Sequence, residues 1–267
     1  MKRLFDTVWH KALRRPYALA IDDSGGTGKP LVLLHGLAQS GARWQPLAKL
    51  MEGRRWRVVA PDLLGFGDSP KPDWSSYSVQ EHARMVLHTL QRAGVTGRMT
   101  LVGHSMGGLV AAHIAAKHPE RVARLVLYEP PLLVDDPEYR KHTRQRNWYF
   151  ALYEYVASHR QLTFLRQQML WRLVRRLSGL HLSEEEWPAF ERSLRNTIMS
   201  QTAYDELKHI SIPTDIVHGR LDVVVPRAEI KDMFAHNPQV TLHIVNDIHN
   251  VTPRSAKYLA RLLDGEL

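Results

Sequence analysis

Ser105, Asp222 and His249 carry the chemistry that this sequence offers most clearly. Ser105 stands in Gly103-His104-Ser105-Met106-Gly107, directly after an apolar run and directly before a helix-like pattern. A serine on so tight a strand-to-helix turn holds its hydroxyl above a sheet. Flanking glycines keep Cβ atoms out of the turn, and the helix N-terminus behind it favours developing negative charge. Serine is a weak nucleophile at its ordinary pKa, so it needs a base, and the base needs a group to orient it. Asp222 lies in a loop just past a strand pattern, within His218-Gly219-Arg220-Leu221-Asp222-Val223-Val224-Val225-Pro226. His249 follows the last strand pattern, within Asn246-Asp247-Ile248-His249-Asn250. The chain has 15 histidines; of the five from His209 onward, His218 and His243 fall in strands and His209 and His236 near helix ends, which leaves His249 in the loop that could reach the serine. Glu129, ending the strand pattern after the serine turn, is the rival acid.

An oxygen that becomes negative during attack needs two backbone N–H donors near the nucleophile. Met106, the residue after Ser105, is one source. Leu37 is the other: the apolar run 31–34 is followed by His35-Gly36-Leu37, and Gly36 lets the chain turn so that the Leu37 amide faces the serine. The His35 side chain then has a structural role. The glycine-rich segment 24–30 invites a phosphate-binding reading that fails, because such a loop needs Ser or Thr after the lysine and a helix beyond, whereas Pro30 and an apolar strand follow Lys29. It reads as a hairpin turn.

Short apolar runs alternating with helical patterns supply the elements that must position these groups, and such alternation builds a mostly parallel sheet. The spacing predicts strands over 17–21, 31–34, 57–60, 99–103, 124–128, 213–218 and 240–245. It predicts helices over 42–51, 79–93, 106–118, 227–235 and 253–263, the third closed by Pro119. Between 133 and 209 no strand pattern occurs, so this stretch reads as an all-helical insertion. Residues 1–15 read as an amphipathic helix ended by Pro16. The chain has 267 residues, 44% hydrophobic and 24% charged, enough for one core without staples, and its lack of cysteine removes thiol nucleophiles and zinc–thiolate sites. Asp6, His10, Lys11, Arg14 and Arg15 interrupt the opening segment, which argues against a secretory signal or membrane span and for a cytoplasmic protein. The formal net charge is +9, and residues 140–181 alone hold nine basic residues against one acid. That surplus either solvates a helix face or rests on an anionic membrane, together with Lys2, Arg3, Lys11, Arg14 and Arg15. Nucleic acid is disfavoured, since no binding module accompanies it.

With these motifs in view, the chain resembles the α/β-hydrolase fold superfamily, in the branch of serine hydrolases with a helical cap. The resemblance covers about residues 17–132 and 210–265. It rests on His35-Gly36, the run Pro61-Asp62-Leu63-Leu64-Gly65-Phe66-Gly67-Asp68-Ser69, the serine turn through Gly108, the 219–226 loop and His249. It implies a core of residues 1–132 and 210–267 capped by 133–209. It also implies a cofactor-independent hydrolase of small carboxylic esters, in which Asp62 to Ser69 is a structural loop and the cap chooses the substrate. Trp148, Tyr149, Phe150, Tyr153, Tyr155, Phe164, Met169, Trp171, Trp187 and Phe190 would give an apolar acyl pocket or pack the cap onto the core. Carbon–carbon bond hydrolases, thioesterases and perhydrolases share the serine turn, as do slow-turnover binding proteins. Ser105 at the turn excludes the aspartate-nucleophile branches. Two departures stand out: Ile248 where the family usually has glycine before the histidine, and a helix in place of a first strand.

Overall fold

A computed structural model describes residues 7–133, 140–163, 182–222, 224, 234 and 236–266. Seven strands form one sheet: β1 (Ile21–Asp23), β2 (Lys29–Leu34), β3 (Trp56–Pro61), β4 (Met99–His104), β5 (Val122–Tyr128), β6 (Thr214–Gly219) and β7 (Val240–Val245). Their spatial order is β1-β3-β2-β4-β5-β6-β7, with β1 antiparallel to β3 and every other pairing parallel. β4 and β6 are buried along their whole length, because helices cover both faces.

Alternation along the central strands divides the core in two. Leu31, Leu33, Val58, Val102 and Val217 face α1 (Gln45–Met51), entered through a tight turn at Gly41–Trp44, and α7 (Pro253–Asp264). Val32, Leu34, Val59, Leu101, Leu125 and Ile216 face α2 (Val79–Arg92) and α3 (Met106–Lys117). Between β5 and β6 every described element is helical. These are α4 (Arg140–Ser158), α5 (Trp187–Ser193) with a wide helical turn at Leu194–Met199, and α6 (Ala203–Lys208). α5 and the turn after it are held to the segment before α2: Arg192 donates to the Asp73 and Ser75 carbonyls, Asn196 to Ser76 and Thr197 to Tyr77.

Three expectations at the N-terminal edge change. The strand expected over 17–21 lies at Ile21–Asp23 instead, so a short antiparallel edge strand is present after all. Segment 24–28 is not a hairpin turn, since β1 and β2 are not neighbours. The chain crosses the start of β3, where a Cβ on Gly28 would lie 2.6 Å from the Trp56 carbonyl carbon. The described part of the N-terminal helix is one wide turn, Thr7–Ala12, that leaves Val8, Trp9 and Leu13 exposed. The helix expected over 227–235, apart from Phe234, lies outside the described residues, as do Lys2, Arg3, Phe164, Met169, Trp171 and the basic residues Arg166, Arg172, Arg175 and Arg176.

Candidate active site

Ser105 links β4 to α3 with φ 52° and ψ −123°, a strained conformation for a residue with a side chain. The strain sits on the serine itself, and the glycines serve close approach. A Cβ on Gly103 would lie 2.4 Å from the Gly107 carbonyl oxygen, and one on Gly107 would lie 2.4 Å from the His35 carbonyl oxygen. The turn is pinned where the Ser105 N–H donates to the Tyr128 carbonyl (3.0 Å) and the Gly108 N–H donates to the Ser105 carbonyl (2.8 Å).

His249 and Asp222 meet. The His249 Nδ1 donates to Asp222 Oδ2 at 2.7 Å, with both side chains nearly or wholly buried. The other carboxylate oxygen, Oδ1, accepts the Val224 N–H at 2.7 Å. Burial by itself would raise the Asp222 carboxyl. The hydrogen bond and charge of His249, with further bonds from Glu129 and Val224, bring it down to about 2. Asp222 is therefore ionised at neutral pH and fixes the proton on Nδ1, leaving Nε2 with its lone pair.

Two residues that the sequence reading did not single out for a role hold the histidine loop. His104 Nε2 donates to the His249 carbonyl at 2.7 Å, and burial first, then His249, keeps this imidazole well below the ordinary histidine value and so neutral. The Tyr128 hydroxyl lies 3.1 Å from the Ile248 carbonyl and 3.3 Å from that of Asn250. These contacts join positions more than a hundred residues apart, and no local pattern encodes them. Beyond the loop, Thr252 caps α7 and donates to Asp247, whose other carboxylate oxygen accepts the Ile248 N–H.

Gly36 touches the serine turn: a Cβ there would lie 3.1 Å from the Ser105 Cβ. Leu37 follows directly and Met106 opens α3, so both backbone segments expected to supply donors flank Ser105. His35 is occupied structurally, its Nδ1 donating to the Gly36 carbonyl and its Nε2 accepting the Leu63 N–H, each at 2.8 Å. Burial pushes it down to about 4. The Asp62 carboxylate accepts the N–H groups of Gly41 and Asp68, which makes the 61–69 segment a clasp. An open groove of about 570 Å³ runs beside residues 38–40, with Arg43, Lys49, Glu186 and Val251 in its lining. Among the described residues no cluster of three or more His, Asp or Glu could hold a metal ion.

The family model for the alpha/beta hydrolase fold matches residues 29–249. The chain belongs to the alpha/beta hydrolase fold family. It is 26% identical to the probable lysophospholipase BODYGUARD 5 of Arabidopsis thaliana, over 85% of this chain and 59% of that protein, so it spans well under two thirds of that relative. It is 30% identical to the pimeloyl-(acyl-carrier protein) methyl ester esterase of Aeromonas salmonicida, over 77% of this chain and 82% of that protein. Among solved structures it resembles the esterase EaEST from Exiguobacterium antarcticum, with a TM-score of 0.73, 20% identity and coverage of 93% and 94% of the two chains, a likeness of fold.

Within this alpha/beta hydrolase the departures have physical readings. Ile248 needs no glycine, since its φ is not positive. Glu129, the rival acid, does not take the His249 ring nitrogen, which is bonded to Asp222. Its carboxyl lies behind Asp222, against the Gly219 N–H and His218. His243 is engaged by Asp215 and Tyr258.

Proposed function

We propose that this alpha/beta hydrolase is a cofactor-independent serine hydrolase of carboxylic esters with apolar acyl groups. The observation that carries the reading is a strained, nearly buried Ser105 at the head of α3 together with a His249–Asp222 pair at 2.7 Å. Ser105 Oγ attacks the ester carbonyl carbon while His249 Nε2 takes its proton. The carbonyl π electrons move to oxygen, where the amides of Leu37 and Met106 stabilise the charge. The C–O bond to the alcohol then breaks, His249 returns the proton to the leaving oxygen, and an acyl-Ser105 remains. Water repeats the cycle with His249 as base, releasing the acid. Asp222 stabilises the transient imidazolium throughout. The names of the esterase and lysophospholipase relatives favour esters over thioesters, peracids or carbon–carbon bonds.

Residues 133–209 form the cap in this reading. Tyr149 and Tyr153 of α4 lie within electrostatic reach of Asp222; burial and then that charge raise the Tyr149 phenol, and burial, then Tyr149, then Asp222 raise that of Tyr153. Tyr149, Trp187 and Phe190 are buried in the core cluster, so they fix the helices, and the acyl chain meets the faces that they leave. The polar groove at Arg43 and Lys49 suits the alcohol portion. The protein rests on an anionic bilayer through its N-terminal turn. Lys11, Arg14, Arg15 and Arg84 line a concavity of about 530 Å³ whose only acid among the described residues is Glu81, already accepting from Ser76 and Tyr77, and Val8, Trp9 and Leu13 project beside it.

Replacing Ser105 by Ala should lower ester hydrolysis by about four to six orders of magnitude, since triad members act as a unit, with no loss of folded protein. Unchanged turnover in a graded acyl-ester assay would exclude Ser105 as the nucleophile. Wild-type activity confined to thioesters, peracids or carbon–carbon bonds would keep the triad and change the substrate class. Stoichiometric binding without turnover would identify a receptor.

A further inference from the structure

Glu129 is fully buried directly behind Asp222, and the mechanism above leaves it without a task. It directly follows β5 with φ 51°, a left-handed conformation costly for a residue with a side chain, and its own N–H donates to the Val217 carbonyl at 2.9 Å. Oε1 accepts the Gly219 N–H at 2.5 Å, at the point where the acid loop leaves β6. A Cβ on Gly219 would lie 2.5 Å from that oxygen and 2.3 Å from the Asp247 carbonyl oxygen, so the carboxyl fills the space that glycine leaves. Oε2 is buried 3.0 Å from His218 Nδ1 with no hydrogen bond of good geometry, and the carboxyl comes within hydrogen-bond reach of Asp222. Two carboxylates cannot hydrogen-bond each other, because neither has a donor. One proton between them is required, and the other side of Asp222 already faces His249.

We propose that Glu129 is a positioning residue that remains a neutral carboxylic acid, donating its proton to Asp222 so that the buried acid loop carries one negative charge fixed on His249. The inference rests on the triad reading of Ser105, His249 and Asp222. The proton's place follows from the surroundings. Asp222 has His249 and the Val224 N–H to stabilise its charge, whereas Glu129 faces burial, the Asp222 charge and, farther off, Asp247. The Tyr128 phenol and His218 also lie near it. Burial foremost, then the Asp222 charge, pushes the Glu129 carboxyl up to about 10, against Asp222 at about 2. A neutral donor steadies a carboxylate without competing for its histidine, and a second full charge there would oppose ionisation of Asp222.

Infrared difference spectra between wild type and Glu129→Gln at neutral pH test the proton directly, with no need for turnover. Wild type should show the C=O stretch of a buried protonated carboxyl, and the variant should lack it. In parallel, Glu129→Met, which keeps the bulk and removes donor and acceptor, should lower kcat about tenfold to a hundredfold with little change in KM, and Glu129→Gln should recover most of that loss. The acid limb of the kcat/KM profile should keep its midpoint in Glu129→Gln, since no charge is removed. Absence of the band, or an acid limb lowered by about a unit or more in Glu129→Gln, would show an ionised Glu129 and overturn the proposal, whether or not Glu129→Met folds. A wild type that shows the band but is never labelled at Ser105 by a fluorophosphonate overturns the triad reading and, with it, the positioning role.

Discussion

Ser105, Asp222 and His249 are legible as candidates because each sits in a short motif, and the fold's chain order ranks one histidine above fourteen others. Their support was not legible. His104 reaches the His249 carbonyl, Tyr128 reaches those of Ile248 and Asn250, and Glu129 backs Asp222, all through tertiary contacts. The glycines of the serine turn show the same limit. The motif announces them, but only the structure shows that Gly107 is required by the carbonyls of Leu34 and His35 and not by its own backbone angles. Gly107→Ala should therefore destabilise the fold by about 3 kcal/mol, because both obstacles are backbone atoms that cannot rotate away. Chemical denaturation measures this, and an alanine variant of wild-type stability would mean that the β2 end moves aside freely.

The parallel strands buried on both faces and the helices between them were readable from hydrophobic patterning, and six of the seven expected strands fall within two residues of their expected bounds. The edge was harder. β1 is three residues long and pairs with a strand that follows it in sequence, so neither its length nor its partner leaves a local signal. The glycines before β2 looked like a hairpin because turn residues serve crossings as well as reversals. At the N-terminal turn the apolar positions were legible, but their exposure was not: Val8, Trp9 and Leu13 face outward beside Lys11, Arg14 and Arg15. That arrangement predicts co-sedimentation with anionic vesicles, release by salt, and loss of binding in an Arg14→Glu/Arg15→Glu variant that keeps its turnover of soluble esters. Equal sedimentation on neutral and anionic vesicles would refute it.

Across the whole molecule, buried histidines set the response to acid. Burial pushes His35 and His82 down to about 4, and His104 lies well below the ordinary value for the same reason. Below about pH 6.5 the unfolded chain binds these protons and the native state does not, so stability falls on acidification, by about 1.4 kcal/mol per pH unit for each histidine until its folded value is reached. Glu129 acts with the opposite sign. Its raised carboxyl makes the folded state the better proton binder above the ordinary glutamate range, and that contribution declines as pH rises toward about 10. Denaturation midpoints across pH should rise from pH 4 to 6.5, and a flat profile there would mean that the three imidazoles are not held neutral. The central claim is that these parts converge on an activated serine, and the most direct test is the intact mass after exposure to a fluorophosphonate. One adduct on the wild type and none on Ser105→Ala is the predicted result, while an adduct on both, or on neither, would contradict it.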